Sequence, residues 1–381
     1  MLHEMFGIRR SKMADLFETT RINGMTLANR FVRSATWEGM AADDGAVTPG
    51  LIDLMTYLAQ GGVGLIISSH AYVSREGQAG PWQLGVYTDA LVPGLRRMAG
   101  AVHDKGGKIV IQLAHAGYHA NGKLSGLMPV APSAVEGMAK APRKALTAEG
   151  LQAIVAAFAE AARRAKQAGF DGVQIHAAHG YLLSQFLSPI YNQRTDAYGG
   201  EIKNRSKPLM LVLKAIRESV GPDFPILIKM NCGDFFESGL VLEDAIEVGK
   251  MLAEGGIDAI ELSGGLLTGG KMSPSRMGIH SPEKEAYFQK EARAFKKEVQ
   301  VPLILVGGNR SYEAAQQIVD NGIADYISLC RPFIREPGLI NRWRSGDLTR
   351  SACLSDNKCF GPIMAGKGLF CVMDQKDGDT N

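Results

Sequence analysis

The chain has 381 residues, with 42 Lys or Arg against 39 Asp or Glu, so its net charge of +3 excludes a global basic field for nucleic acid or an anionic membrane. A hydrophobic content of 45% describes an ordinary globular chain, and five cysteines, sparse and odd in number, disfavour a secreted disulfide framework. Without a signal-peptide pattern or an apolar run of membrane-spanning length, the sequence predicts a cytoplasmic protein with no nucleic-acid and no membrane partner.

The predicted elements begin with a small hairpin over Leu16–Asn29, where Asn23-Gly24 separates two short extended runs. Residues 1–15 are treated as an N-terminal extension. Eight short β-branched and apolar runs follow, as expected of parallel strands buried on both faces. They are Phe31–Thr36, Gly64–Ser69, Lys108–Ala114, Gly172–Ala177, Pro225–Asn231, Ala259–Gly264, Leu303–Gly308 and Tyr326–Arg331.

Amphipathic stretches alternate with these strands. The clearest predicted helix begins near Ala148 and ends at Gly169, with apolar residues at i, i+3, i+4 and i+7. Thr48-Pro49 is typical of an N-cap followed by the first helical position. Further helices are predicted over Val92–Lys105, Lys207–Val220, Glu243–Glu254, Glu283–Glu298, Tyr312–Asn321 and Gly338–Arg344. Eight strands alternating with eight helices predict a (β/α)8 barrel over residues 16–346, followed by a C-terminal tail over 347–381, because doubly wound sheets more often have five or six strands.

Longer insertions follow three of the strands, over Tyr72–Asp89, Tyr118–Thr147 and Leu266–Pro282. In a barrel these loops lie at the C-terminal ends of the strands, where active sites are built. Loops of this kind set the substrate and vary most, so the sequence does not identify the natural substrate.

Polar residues and glycines stand at the predicted strand ends. The fourth strand leads into His176-Ala-Ala-His179-Gly-Tyr181, which alone fits either a buried polar pair or two metal ligands. The seventh strand ends in Gly307-Gly308 and the eighth in Cys330-Arg331, where barrels usually bind phosphate through backbone N–H groups. A phosphorylated ligand is one interpretation; tight turns that need glycine are the other.

The run HAAHGYLLSQFLSPIYNQRTDAYGG (His176–Gly200) resembles the signature of the old yellow enzyme family, FMN-dependent ene-reductases. NRFVRSATWEGM, VIQLAHAG, ILIKMN, ILVGGNRS and ISLCRPFIREP follow that family's order and spacing, so the resemblance covers roughly residues 16–345. It is greatest to the bacterial NADH:flavin oxidoreductases that also contribute the barrel of 2,4-dienoyl-CoA reductases. The resemblance implies an FMN-binding barrel, NADH or NADPH as reductant, and a small-molecule electrophilic alkene as substrate.

The resemblance also implies residue roles. His176 and His179 would polarise the carbonyl or nitro oxygen of the substrate, and Tyr181 would donate the proton. The flavin would be contacted by Ala35, Thr36, Ser69, His70, Gln112 and Lys229, and its phosphate by Gly307, Gly308, Cys330 and Arg331. Lys229 replaces an Arg found in many relatives. Trp37 stands where the family usually has Thr or Cys, which leaves the tuning of the flavin potential open.

The tail contains a degenerate cysteine motif. Cys353, Cys359 and Cys371 resemble the iron–sulfur motif of the dienoyl-CoA reductase branch, but Asp356 stands in place of the second cysteine. Because four thiolates normally hold such a cluster, and because the chain ends about where larger relatives continue, we expect no cluster here.

Three other hypotheses remain open at this stage. One is a metal-dependent barrel hydrolase using His70, His115, His176 and His179. The others are a flavin-binding protein without turnover and an iron–sulfur-containing subunit similar to dienoyl-CoA reductase. The flavin hypothesis assigns no residue to a metal. The choice between NADH and NADPH, and whether the chain forms a homo-oligomer, are left open.

Overall fold

Eight parallel strands close into a barrel in the computed structural model, which describes residues 15–135 and 142–373. The strands, numbered in chain order, are β1 Thr20–Ile22, β2 Met25–Leu27, β3 Phe31–Arg33, β4 Leu65–Tyr72, β5 Ile109–Ala114, β6 Val130–Ala131, β7 Lys144–Ala145, β8 Gly172–Ala177, β9 Ile226–Asn231, β10 Ala259–Ser263, β11 Leu303–Leu305 and β12 Tyr326–Leu329. The barrel order is β10-β11-β12-β3-β4-β5-β8-β9, which confirms the predicted (β/α)8 class. The predicted extension over 1–15 lies outside the described residues except for its last position, as does the tail from 374 to 381.

Helices surround this barrel. They are α1 Pro49–Gln60, α2 Val92–His103, α3 Gly122–Ser125, α4 Ala148–Gln167, α5 Leu182–Leu187, α6 Ile202–Arg205, α7 Lys207–Val220, α8 Leu242–Glu254, α9 Gln289–Glu298, α10 Tyr312–Asp320, α11 Arg331–Arg335, α12 Leu339–Arg344 and α13 Phe360–Met364. The Thr147 side chain caps α4 by accepting from the Gly150 amide at 3.0 Å, and Thr48 caps α1 in the same way. None of the helices in the described part of the chain combines the length and hydropathy needed to span a bilayer.

The N-terminal hairpin fills one end of the barrel. Strands β1 and β2 pair antiparallel around Asn23, whose φ of +49° suits the tight turn. Ile22, Met25 and Leu27 are buried and pack with inward-facing residues such as Val32. The predicted hairpin is therefore present, and it closes the end of the barrel opposite the strand C-termini.

One predicted helix is wrong in its first half. Instead of a helix from 283 to 298, a 3₁₀ turn over Pro282–Lys284 precedes α9. The break lies at Ala286, which has a φ of +46°. The adjacent Glu285 carboxylate accepts hydrogen bonds from the backbone amides of Arg310 and Ser311 at 2.9 and 3.0 Å. These long-range bonds hold the segment out of a helix.

The strand ends also differ from the prediction. Strands predicted to reach 36, 308 and 331 end at Arg33, Leu305 and Leu329, whereas the strand predicted to end at 69 continues to Tyr72. Residues past the three early ends turn toward a cavity at this end of the barrel, so their side chains and amides are free to line it.

The tail packs across the barrel mouth over residues 351–364, a segment we call the C-terminal strap. The Ser351 amide donates to the Arg310 carbonyl at 2.9 Å, and the Arg310 guanidinium donates to the Cys353 carbonyl at 2.6 Å. Asn357 donates to the Ser275 carbonyl at 2.8 Å and accepts from Arg331 at 2.7 Å. The strap is thus attached to the segments that follow β10, β11 and β12.

Candidate active site

A cavity of about 550 Å³ opens at the C-terminal ends of the barrel strands. This volume falls within the usual range for small-molecule and cofactor sites. Almost all of the predicted site residues line it: Ala35, Thr36, His70, Gln112, His176, His179, Tyr181, Lys229, Gly307, Gly308, Cys330 and Arg331. The barrel thus brings together residues that are up to about 300 positions apart in the sequence.

Ser69 is the exception, and its contact with the ligand stays a prediction. It is buried but does not line the cavity, and its carbonyl accepts from the Ser68 hydroxyl at 2.9 Å. The pairing of β4 with β5 shifts register between Ile67 and His70. A shift of this kind re-aims side chains, and here His70 lines the cavity.

Two histidines and a tyrosine converge around the turn after β8. The His176 ring lies 5.4 Å from the His179 ring and 4.6 Å from the Tyr181 ring, measured between centroids. His179 has a φ of +62° and its amide donates to the Asn231 side chain at 3.1 Å. This left-handed conformation, held by a neighbouring strand, places both imidazoles and the phenol on one side of the cavity.

Burial sets the protonation state of these groups. It lowers the pKa of His176 and of His179 well below 6.5, with further lowering by nearby positive charge, including that of Lys229. Burial also lowers the pKa of His70 to about 4 and raises the pKa of Tyr181 above its usual value. At neutral pH the site therefore holds neutral imidazoles and a protonated phenol.

The two histidines have hydrogen-bonding atoms that remain available to a ligand. His179 Nε2 bonds the Ser263 hydroxyl at 2.8 Å, which orients that ring. His176 Nδ1 is buried and has no partner among the described residues. An unpaired buried polar atom is costly, so one that lines a cavity indicates a bound group.

A buried polar network, which the sequence analysis did not identify, supports the floor of the cavity. Glu261 on β10 is fully buried and accepts from Ser34, Gln174 and Ser328, each at 2.8 Å. Lys229 Nζ lies 3.3 Å from the same carboxylate and donates to Ser34 at 2.7 Å. The sequence did contain a sign of this network, because Glu261 is the one acidic residue inside the apolar run AIELS. An unpaired carboxylate would be very unfavourable in a buried strand, so Glu261 must have partners.

The ends of β11 and β12 form a cradle of backbone amides. Gly307 and Gly308 have φ values of +129° and +79°, and a Cβ on Gly308 would lie 2.8 Å from the Tyr287 ring. The amides of Gly308, Cys330 and Arg331 donate to no group in residues 15–135 and 142–373. Such a cradle suits a phosphate.

These features fit FMN. The amide cradle can take the phosphate, while the Gln112 amide and the Lys229 ammonium line the cavity where a polar ring edge could lie. Gln112 is oriented by donating to Gln174 at 2.7 Å. The Arg310 guanidinium donates to the Ile279 carbonyl and, in the strap, to the Cys353 carbonyl.

Several cavity residues were not foreseen as ligand contacts. Phe360 and Met364 of the C-terminal strap line the cavity, as does Trp37, whose buried indole N–H has no partner among the described residues. His119 and Asn121 line it from the loop after β5. Nothing in a local pattern relates the strap to the barrel mouth, so only the folded chain reveals this contact.

The three tail cysteines and Asp356 line a second, much smaller cavity of about 20 Å³. Burial raises the pKa of the Cys359 thiol to about 12, so without a bound metal this thiol is protonated at neutral pH. Within the described ranges no three His, Cys, Asp or Glu side chains are placed to hold a metal ion. His115, one of the ligands required by the hydrolase hypothesis, does not line the large cavity, and its Nδ1 accepts from the Gly117 amide at 3.0 Å.

Comparison with known proteins gives a consistent result. The model of the NADH:flavin oxidoreductase / NADH oxidase family matches residues 15–349. The chain is 36% identical over 373 residues to an NADH oxidase of Thermoanaerobacter brockii, covering 96% of this chain but only 56% of that protein, about half its length. It is 32% identical over 379 residues to a 4,4'-dithiodibutanoate disulfide reductase of Rhodococcus erythropolis, covering 92% and 93% of the two chains. The solved old yellow enzyme homologue of Zymomonas mobilis is similar with a TM-score of 0.76 and 31% identity, over 90% of this chain and 96% of that one.

Proposed function

Because the chain belongs to the NADH:flavin oxidoreductase / NADH oxidase family, we propose that it is an FMN-dependent oxidoreductase that uses NADH or NADPH to reduce the activated double bond of an α,β-unsaturated carbonyl or nitro compound. FMN, when bound, accepts a hydride from the nicotinamide and delivers it to the alkene. The observation that carries the proposal is the convergence of two neutral imidazoles and a protonated phenol in the cavity that also contains the amide cradle.

The two histidines bind the activating oxygen of the substrate. His176 Nδ1 has no partner among the described residues, and Ser263 holds the His179 ring through Nε2, so both rings are available to an acceptor oxygen. Their lowered pKa values keep them neutral, and a neutral imidazole donates a hydrogen bond without giving up its proton. Donors already in position stabilise the negative charge that develops on that oxygen during reduction.

Tyr181 supplies the proton. Burial raises the pKa of its hydroxyl, so the phenol keeps its proton throughout the physiological range. The Tyr181 ring is 5.5 Å from His70 and 4.6 Å from His176, which fixes it beside the place where the activating oxygen binds. A weak acid in this position protonates only a strongly basic carbon, such as the one formed next to a polarised carbonyl.

Lys229 and Gln112 hold the cofactor from the barrel floor, and the amides of Gly308, Cys330 and Arg331 hold its phosphate. Lys229 is anchored by Glu261 and Ser34, so its charge is fixed in position. With FMN bound, this fixed charge would stabilise negative charge on the flavin.

Separate measurement of the two half-reactions tests this proposal. Tyr181→Phe should leave reduction of the bound flavin by NADH or NADPH unchanged, and should slow reoxidation by 2-cyclohexenone about 10²-fold or more, as expected for loss of a general acid. Tyr57→Phe, at an exposed tyrosine, is the matched control. If the protein shows no flavin absorbance after incubation with FMN and removal of the unbound excess, the cofactor assignment is refuted. An equal loss of rate in both half-reactions of Tyr181→Phe would refute the role of Tyr181.

A further inference from the structure

His119 and Asn121 bring a second set of polar groups to the cavity, separate from His176, His179 and Tyr181. Both stand in the loop after β5 and line the same cavity. The His119 ring packs over the turn that carries the proposed catalytic residues, because a Cβ on Gly180 would lie 3.2 Å from His119 Nε2. The second set is therefore adjacent to the proposed reaction site.

The protonation state of His119 follows from its surroundings. Burial, followed by the positive charge of Arg143, lowers its pKa to about 4, so the ring is neutral at pH 7. Its Nε2 lies 3.4 Å from the Tyr191 hydroxyl. Burial raises the pKa of Tyr191 to about 12, so that hydroxyl retains its proton and can donate it to Nε2. A neutral imidazole that accepts at Nε2 carries its hydrogen on Nδ1.

When Tyr191 donates to Nε2, His119 presents an N–H donor at Nδ1, for which residues 15–135 and 142–373 supply no hydrogen-bond acceptor. Asn121 offers a second donor. Its backbone amide donates to the Gln78 carbonyl at 2.8 Å and its Oδ1 accepts from the Lys123 amide at 3.2 Å. These bonds leave the side-chain NH₂ of Asn121 without a partner among the same residues.

We propose that His119 and Asn121 form a subsite for a second acceptor oxygen of the substrate, remote from the oxygen bound by His176 and His179. Two neutral hydrogen-bond donors match a carbonyl oxygen. The inference rests on the proposed function. It predicts that the preferred substrates are alkenes with carbonyl groups at both ends, as in imides, enediones and unsaturated diesters.

Pairs of substrates that differ in the second carbonyl test this subsite. His119→Leu in the holoenzyme should lower kcat/KM for N-methylmaleimide about threefold to tenfold, mainly through a higher KM, which is the range for loss of one neutral hydrogen bond. The same variant should change kcat/KM for 2-cyclohexenone by less than about twofold. His119→Gln, which retains a donor, should recover most of the loss, and His280→Leu, at an exposed histidine outside the cavity, is the control.

A binding measurement gives an answer that does not depend on turnover. By calorimetry, His119→Leu should weaken binding of N-methylsuccinimide to the oxidised holoenzyme by a similar factor and leave binding of cyclohexanone unchanged. The subsite would be overturned if His119→Leu affected the dicarbonyl and the monocarbonyl compound of a pair equally, or affected neither. If His119→Leu does not fold, Asn121→Ala provides the same comparison. Failure of the wild-type holoenzyme to reduce either alkene would refute the proposed function, whereas the calorimetric pair would still decide the subsite.

Discussion

Replacing Glu261 by Gln should destabilise the protein more than replacing Lys229 by Met, although the two side chains form one buried ion pair. In Lys229→Met the carboxylate keeps its three donors, Ser34, Gln174 and Ser328, each at 2.8 Å. In Glu261→Gln the ammonium loses its counter-charge and keeps only neutral partners, the Ser34 hydroxyl at 2.7 Å and the new amide oxygen, while the new NH₂ faces groups that donated to the carboxylate. The cation is 3% exposed, so water does not compensate for the lost partner.

The expected losses in the free energy of unfolding differ because the group left behind keeps more hydrogen-bond partners in one variant than in the other. Removing one partner of a buried pair costs about 3–5 kcal/mol, which we expect for Glu261→Gln. Lys229→Met should cost about 1–3 kcal/mol, since it removes a charge-assisted bond but leaves the buried carboxylate with its three hydrogen-bond donors. With an unfolding entropy of about 2.1 cal/mol/K per residue, Glu261→Gln should lower Tm by about 4–6 °C.

Urea unfolding at fixed FMN saturation measures these free energies. The double variant should be less destabilised than the sum of the single variants by about 2 kcal/mol or more, because neither charge is then left without its partner. The reasoning would be refuted if Lys229→Met proved the more damaging change, or if the two effects simply added.

Two further predictions concern the cradle and the buried histidines. Gly308→Ala should weaken FMN binding, measured by titration of flavin fluorescence, because at φ +79° a Cβ adds about 1–3 kcal/mol of backbone strain and meets the Tyr287 ring at 2.8 Å. The control is Gly126→Ala, which has a similar φ but open space around it and should leave FMN affinity unchanged. An equal loss of affinity in both variants would contradict the role of the amide cradle. Lowering the pH from 6.5 toward 4 should reduce the free energy of unfolding. In this range His70 takes up a proton in the unfolded chain but not in the folded chain, where its pKa is lowered to about 4. Above pH 6.5 the His70 side chain is neutral in both states. Urea unfolding at several pH values should show that the free energy of unfolding depends less on pH in His70→Gln than in the wild type. An unchanged slope of this free energy against pH would count against this explanation.

The sequence predicted the barrel and the family correctly. Each buried strand produces a local apolar run, and each capped helix a local signal such as Thr147 before α4, so neither depends on knowing the partners. The N-terminal hairpin was identifiable for the same reason, from Asn23-Gly24. The strands place their C-terminal ends together in any barrel of this class, so Gln112, His176 and Lys229 could be assigned to one cavity before the fold was known. Their roles remain predictions.

What failed depended on long-range contacts. The helix expected over 283–298 is interrupted because Glu285 binds the amides that follow β11. That Ser69 does not line the cavity, whereas His70 does, also goes with a feature that one strand alone does not reveal, the register shift between β4 and β5.

The sequence by itself determined the alternation of strands and helices, the order of the strand ends and the chemical types of the groups they carry. Only the tertiary structure decided which of these groups are paired. Glu261 pairs with Lys229, the Tyr191 hydroxyl lies within hydrogen-bond distance of His119 Nε2, and Arg310 bonds the C-terminal strap. The physical reason is that periodicity reports whether a residue is buried, whereas hydrogen bonds and pKa values depend on neighbours that can lie anywhere in the chain.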